Sequence, residues 1–593
     1  MSLLEIDGLT IRYADSPAPA VSDLNVVIER GEAIGIVGES GSGKTQTAMA
    51  IMGLLPANAD VSGSIRFDGT ELRGATPTVL NRYRACRIAM VFQDPRTALN
   101  PYVRIGKQLR RVLLEHKMCG GAEADVRTLD MLQKVGLPDP ERQFRAFPHE
   151  LSGGMRQRAM IGAALIGEPD LLVADEPTTA LDVTVQAQIL RLISDLHAET
   201  NSALLLITHD LGVVAGNCER VVVMDKGCMV EEGSTREVFS APVSARTEAL
   251  LSSAPRIDSE VMSKPIDTDA DPVLEIEDIA VSFRGRRSSW GERLHAVKPM
   301  SLSLGECETV AVVGESGSGK TSLARAVLGL LPADAGRVSF LGRALPSHVG
   351  ARRNNVRRHL QMVFQDPLAS LNPAMSVREI VAEPLRIHEP GMKKEERNRG
   401  VDTMLTRVGL EAELAGRYPH ELSGGQAQRV AIARSLILQP KVLICDEAVA
   451  ALDGTVQHEI LKLLLTEQAN SGLSLIFITH DLAVVRQISH RVLVMYMGRL
   501  CEIAENEALF RRPRHPYTKA VLSSVPVIDP DASAVDVPLA GEAASALSPP
   551  TGCPFHPRCP HAIAVCNEKI PELAQCDSTL VACHRAADLD LSY

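Results

Sequence analysis

Two eight-residue stretches, Gly38 to Thr45 and Gly314 to Thr321, both read GESGSGKT. Each follows an apolar run, Ala33 to Val37 and Thr309 to Val313, with the composition of a buried strand. Glycine, four residues, glycine, lysine and a hydroxyl residue is the spacing of a phosphate-binding loop. Its small residues let successive backbone N–H groups curl around a polyphosphate, and the following helix points its positive end at the same anion. Gly38, Ser40, Gly41, Ser42 and Gly43 form one such cradle; Gly314, Ser316, Gly317, Ser318 and Gly319 form the other. Lys44 and Lys320 are expected to reach the β- and γ-phosphates, and the hydroxyls of Thr45 and Thr321 to ligate Mg²⁺. The chain is expected to handle nucleotides twice.

The elements that must position these loops repeat as well. Lys44 and Lys320 lie 276 positions apart, Gln93 and Gln365 272, and Ser152 and Ser423, Glu176 and Glu447, and His209 and His480 each 271. An offset that steady means two copies of one domain, expected at 1–235 and 273–505. Residues 236–272 are expected to be a degenerate extension and linker, with Ser253 to Pro272 rich in Asp, Ser and Pro. Within each copy the pattern runs strand, phosphate loop, helix, a helical insert (104–145 and 375–415), then alternating strands and helices. Leu171 to Ala174, Ala203 to Ile207, Val442 to Cys445 and Leu475 to Ile478 are unbroken apolar runs, as in a parallel sheet covered on both faces. The fold class is α/β: two tandem P-loop domains, each with a helical subdomain, followed by a connector (506–549) and a small cysteine-rich tail (550–593).

Composition sets bounds on function. The 593 residues are too many for one core, 45% hydrophobic and 23% charged is ordinary for a globular chain, and a net charge of −11 gives no overall attraction to nucleic acid or anionic lipid. No apolar run is long enough to span a bilayer, and MSLLEIDGLTIRY reads as a first strand rather than a secretion signal, which predicts a cytosolic chain. Arg352-Arg353 with Arg357-Arg358 reads as a solvated helix face, since no aromatics interleave, and Trp290 carries no functional signal.

Further motifs follow in fixed order: LSGGMRQR from Leu151 and LSGGQAQR from Leu422; Asp175-Glu176 and Asp446-Glu447 at strand ends; Ala180-Leu181-Asp182 and Ala451-Leu452-Asp453; Thr208-His209-Asp210 and Thr479-His480-Asp481. Over about 460 residues this order resembles the ATP-binding-cassette ATPases. The position of Asp175 and Asp446 beside the loop suits the Mg²⁺ shell. Glu176 and Glu447, one residue on, are placed to orient or deprotonate the attacking water. The resemblance implies that Gln93 and Gln365 sense metal and water and couple them to a membrane partner, that His209 and His480 contact the γ-phosphate, and that Tyr13 and Phe283 stack on adenine. It also implies that two cassettes close head to tail within this chain, Lys44, Glu176 and His209 facing Ser423, Gly424 and Gly425, and Lys320, Glu447 and His480 facing Ser152, Gly153 and Gly154.

Departures from the family pattern gather on the site with Lys320. Ala448, Val449 and Ala450 stand where Pro, Thr and Ser are usual, Met155 replaces Gln, and Phe283 replaces Tyr; the other site carries only Ala427 for Arg. The expectation is that both sites bind ATP and the Lys320 site hydrolyses more slowly.

QDPRTALNP from Gln93, QDPLASLNP from Gln365 and HPYTKA from His515 resemble the oligopeptide/dipeptide/nickel permease ATPases; the first copy keeps a worn version, SARTEALLSSAP, ending at Pro255. The implied function is an ATPase at the cytoplasmic face of the cell membrane that energises import of oligopeptides, dipeptides or a related solute. Two permease subunits and an extracytoplasmic substrate-binding protein are the implied partners. A soluble twin-cassette ATPase acting on ribosomes or nucleic acid is the alternative.

Of twelve cysteines, five lie between Cys553 and Cys583. Cys553, Cys559, Cys566 and Cys583 are the candidate metal ligands, with five, six and sixteen residues between successive members and Cys576 as the spare. Four thiolates suit zinc or an iron–sulfur cluster, although structural zinc usually has one pair two to four residues apart. The resemblance implies a [4Fe–4S] cluster; zinc, or no metal, stays open. His556, His561 and His584 are substitutes, and a structural role is expected for so short a tail.

Overall fold

The computed structural model describes residues 2–14, 16, 18–179, 181–259, 261–263, 266, 271–284, 293–346, 354–449, 452–531, 539 and 549–591. Ala180, Ala450, Ala451, Arg352, Arg353 and Trp290 lie outside the described residues. The chain divides into two compact units: Met1–Leu181, Val185–Ala254 and Pro526–Val535 in one, Asp182–Thr184, Pro255–Val525 and Asp536–Tyr593 in the other.

In the first unit, the apolar runs form a six-stranded sheet in the order Cys228–Ser234, Arg220–Asp225, Ala33–Gly38, Ala203–Ile207, Leu171–Asp175, Ile88–Val91. Ala33–Gly38, Ala203–Ile207 and Leu171–Asp175 pair in parallel and are buried along their whole length, which is why they show no alternation. A second sheet is antiparallel, ordered Val21–Glu29, Ser2–Tyr13, Ala59–Phe67, Thr70–Glu71, and alternates buried with exposed positions because it covers the core on one face only. The helical insert comprises Ile105–Glu115, Gly121–Lys134 and Pro140–Arg145 around Leu109, Leu113, Leu132 and Val135. The degenerate extension that precedes the linker is ordered structure. Thr235–Ser240 and Ala245–Ser253 are helices, and Leu250, Leu251 and Ala254 pack on the sheet's core.

The second unit repeats the plan with one addition. Its antiparallel sheet runs Arg293–Leu304, Leu274–Arg284, Ala335–Phe340, Arg343–Ala344, and its insert carries Val377–His388 and Lys394–Arg407. The main sheet has eight strands: Leu360–Val363, Val442–Asp446, Ser474–Ile478, Thr309–Val313, Arg491–Tyr496, Arg499–Glu505, Thr579–Val581, Ala574–Cys576. The last two come from the cysteine-rich tail, with Glu502 opposite Val581 and Ile503 opposite Leu580. The tail is therefore no isolated module awaiting a metal to give it a core. Phe555 is 1% exposed and packs against Tyr496 and Tyr517 at ring-centroid distances of 5.5 and 5.4 Å, in the same cluster as Cys553 and Cys566. Each such aromatic pair adds about 1 kcal/mol beyond the area it buries. Arg358, from the presumed solvated face, is half-buried and paired with Glu389. Among the described residues no helix is long and apolar enough to cross a membrane.

Candidate functional sites

In both units the phosphate loop joins the central strand to a helix, Lys44–Ile51 in one and Lys320–Val327 in the other. Gly38 and Gly314 sit at φ 153° and 149°, and a Cβ there would lie 2.1 Å from the carbonyl oxygen of Met224 or Met495, so no other residue fits the turn. Lys44 Nζ donates to the carbonyls of Gly38 and Glu39 at 2.7 and 2.8 Å, and Lys320 Nζ to those of Gly314 and Glu315 at 2.6 and 2.9 Å. Both ammonium groups are thus buried across the mouth of the loop they serve.

The carboxylates arrive from the neighbouring strand. Thr45 Oγ1 donates to Asp175 Oδ1 at 3.2 Å, and Thr321 Oγ1 to Asp446 Oδ1 at 3.0 Å. Burial raises both aspartates against these bonds, Asp175 to about 6. Asp446 Oδ2 is buried without a hydrogen-bond partner, a position a divalent cation would satisfy, so the Thr and Asp pair fits Mg²⁺.

One residue further on, the chain turns abruptly: Glu176 and Glu447 are left-handed, at φ 46° and 50°. A non-glycine residue pays for such a conformation with about 1–3 kcal/mol, and it persists because each N–H is fixed to the next strand, on Ile207 or Ile478. Gln93 Nε2 donates to Glu176 Oε2 at 2.7 Å, Thr179 Oγ1 to the same oxygen at 2.8 Å, and His209 Nδ1 lies 3.2 Å from Oε1. Burial pushes the Glu176 carboxyl up, but the bond and charge of His209, with the Thr179 bond and the Lys44 charge, together hold it at about 2. In the second unit Gln365 Nε2 donates to Glu447 Oε2 at 2.6 Å, and His480 Nδ1 stands 3.6 Å from Oε1. Glu447 too is lowered against burial, chiefly by His480, while burial of each histidine is offset by its glutamate so that both titrate above the ordinary value. Each glutamate is an ionised carboxylate locked between a glutamine and a histidine, an arrangement suited to orienting water.

Tyr13 ends its strand half-buried and hydrogen-bonded through its hydroxyl to Gln46, whereas Phe283 is 38% exposed. The signature serines cap helices, Ser152 that of Gly153–Leu165 and Ser423 that of Gly424–Leu436. Ser423 forms a reciprocal box, its Oγ accepting from Gln426 N–H and its N–H donating to Gln426 Oε1. Met155 at the matching position has no oxygen to return the bond.

Cys553, Cys559, Cys566 and Cys583 line one cavity with His556, His561 and His584, and the spare Cys576 lies on the terminal strand. Burial raises the thiols of Cys553 and Cys559, and that of Cys583 to about 11. The sulfur set fits a soft metal group, although among the described residues no three His, Cys, Asp or Glu side chains gather closely enough to close around one ion.

Sequence reasoning missed two arginines. Arg246 pairs with Glu39, and Arg558 with Glu315, each meeting the second residue of a phosphate loop. The only local signal was an acidic side chain beside a loop meant for an anion.

A nucleotide loop, an aspartate bonded to its threonine, a strained glutamate and a histidine recur in both units on one sheet plan, the arrangement of an ATP-hydrolysing cassette. The ABC transporter family profile matches residues 21–179 and 297–450, and the chain belongs to that family as an ATPase coupled to transport. The profile described as oligopeptide/dipeptide transporter, C-terminal region, matches 230–279 and 501–566, so both copies carry it. The chain is 43% identical over 562 residues to the glutathione import ATP-binding protein GsiA of Pectobacterium atrosepticum, covering 89% of this chain and 90% of that one. It is 43% identical over 531 residues to the peptidoglycan transport ATP-binding protein YejF of Agrobacterium fabrum, covering 88% and 96%.

Proposed function

We propose that this chain powers import of a peptide-like solute, of the size range that includes glutathione and short oligopeptides, through two separate permease subunits served by an extracytoplasmic binding protein. The observation that carries this is the oligopeptide/dipeptide C-terminal region in both cassettes, together with relatives named for glutathione import and peptidoglycan transport. These findings favour transport over the ribosomal alternative. The chain works at the cytoplasmic face of the membrane, its cassettes closing head to tail so that the signature helix of each completes the other's ATP site. Gln93 and Gln365 supply the link to the permeases, since each bonds the glutamate of its own site. Co-purification from native membranes in mild detergent, with mass spectrometry, is expected to recover two polytopic permeases and a binding protein. Ribosomal proteins, or recovery from the soluble fraction alone, would overturn the proposal.

The tail holds a [4Fe–4S] cluster on Cys553, Cys559, Cys566 and Cys583, a reading supported by their convergence on one cavity and by the absence of a closely spaced pair suited to zinc. The group serves to staple the tail's loops. Iron and sulfide analysis of anaerobically purified protein tests this, and zinc or no metal would refute it.

A further inference from the structure

Glu315 is held at four points, counting the Thr184 hydroxyl, which donates to its Oε1 at 2.8 Å. Its N–H donates to the Tyr517 hydroxyl at 2.9 Å, its carbonyl accepts from Lys320 Nζ at 2.9 Å, and its carboxylate receives both arms of the Arg558 guanidinium, Nη1 to Oε2 at 2.9 Å and Nη2 to Oε1 at 3.0 Å. Arg558 Nη1 also reaches the Tyr496 hydroxyl at 3.3 Å. The pair is almost fully enclosed, with side chains 6% and 9% exposed. Such a bidentate fork is geometrically specific, and removing one partner strands a buried charge.

The first cassette makes a looser counterpart of this contact from different material, its arginine shared with Asp225 and the pair partly exposed. Its Glu39 meets Arg246, on the Ala245–Ser253 helix of the worn extension, where the second copy has Tyr517. In the second copy, where that position is tyrosine, the guanidinium comes instead from Arg558, which adjoins Cys559 in the tail. One contact built twice from unrelated segments points to a requirement of the loop itself. A carboxylate at its second residue opposes a triphosphate unless a cation balances it and turns it aside.

We infer that Arg558 is a positioning residue of the Lys320 ATP site, neutralising Glu315 and fixing the start of the phosphate loop, so that the cysteine-rich tail is a working part of that site. The inference rests on Lys320 as a nucleotide contact. The test uses the full-length chain carrying Lys44→Ala, which leaves binding to the Lys320 site, and follows the Kd of a fluorescent ATP analogue with Mg²⁺. Adding Lys320→Ala must abolish the remaining binding; if it does not, the nucleotide reading of that site fails, independently of Arg558. Arg558→Ala is expected to weaken binding about tenfold, and Arg558→Lys, which keeps the charge but loses the fork, by less. The double variant Arg558→Ala with Glu315→Gln is expected to recover most of the loss, because no carboxylate remains to be balanced. In a Lys320→Ala background, Arg246→Ala weakens the remaining site and Arg558→Ala leaves it unchanged. An unchanged Kd for Arg558→Ala, an equal loss at both sites, or no recovery on Glu315→Gln would overturn the proposal. A tail that merely unfolds gives the last of these results.

Discussion

The two glutamates proposed to orient water differ in company. Glu176 has three partners, Gln93, Thr179 and His209, all within hydrogen-bond reach. Glu447 keeps its glutamine, faces a histidine at 3.6 Å, and has Ala450 in sequence where the first copy has Thr179. The six strands common to both main sheets and the strained turns are alike, so the difference lies in side chains that anchor one carboxylate. A base held at three points loses less time in unproductive orientations than one held at fewer.

That contrast is easiest to break at the glutamates themselves. Glu176→Gln is expected to lower ATP turnover about 100-fold and Glu447→Gln by much less, measured as phosphate release under saturating ATP; equal losses would remove the asymmetry. Next in size, Thr179→Ala should slow the Lys44 site about threefold, while Ala450→Thr in a Glu176→Gln background should raise residual turnover by a similar factor. Met155→Gln restores the reciprocal cap on the Gly153–Leu165 helix and should add roughly 0.5–1 kcal/mol, seen as a melting transition about 2 °C higher.

The smallest effect separates the two extensions. His515 caps the Pro516–Ser523 helix by accepting from Tyr517 N–H, and full burial lowers its pKa to about 4. Protons therefore bind the unfolded chain more readily between the ordinary histidine value and about 4, so stability falls as pH drops through that window. His515→Asn keeps a capping side chain and should flatten this fall in denaturant titrations, whereas Ser244, which caps the matching helix of the first copy, has no such titration.

Much of this was legible in the sequence because it is local. Unbroken apolar strands, the two GESGSGKT loops and Asp-Glu at a strand end declare themselves within a few residues. The left-handed turn at Glu176 and Glu447 did not, because the ladder to the next strand imposes it against local preference. Nor did the union of the tail with the second sheet: Thr579–Val581 is three residues long, too short for a pattern, and its partner lies near Glu502. The arginines were hidden for the same reason, since Arg558 and Glu315 are 243 positions apart.

That separation has a consequence for biosynthesis. At about 5–20 residues per second, the counter-ion of Glu315 leaves the ribosome roughly 10–50 s after the loop it balances, and Arg246 follows Glu39 after a similar interval but earlier in synthesis. The nascent chain thus carries a finished first nucleotide loop while the second still waits for its partner, and its two ATP sites mature one after the other.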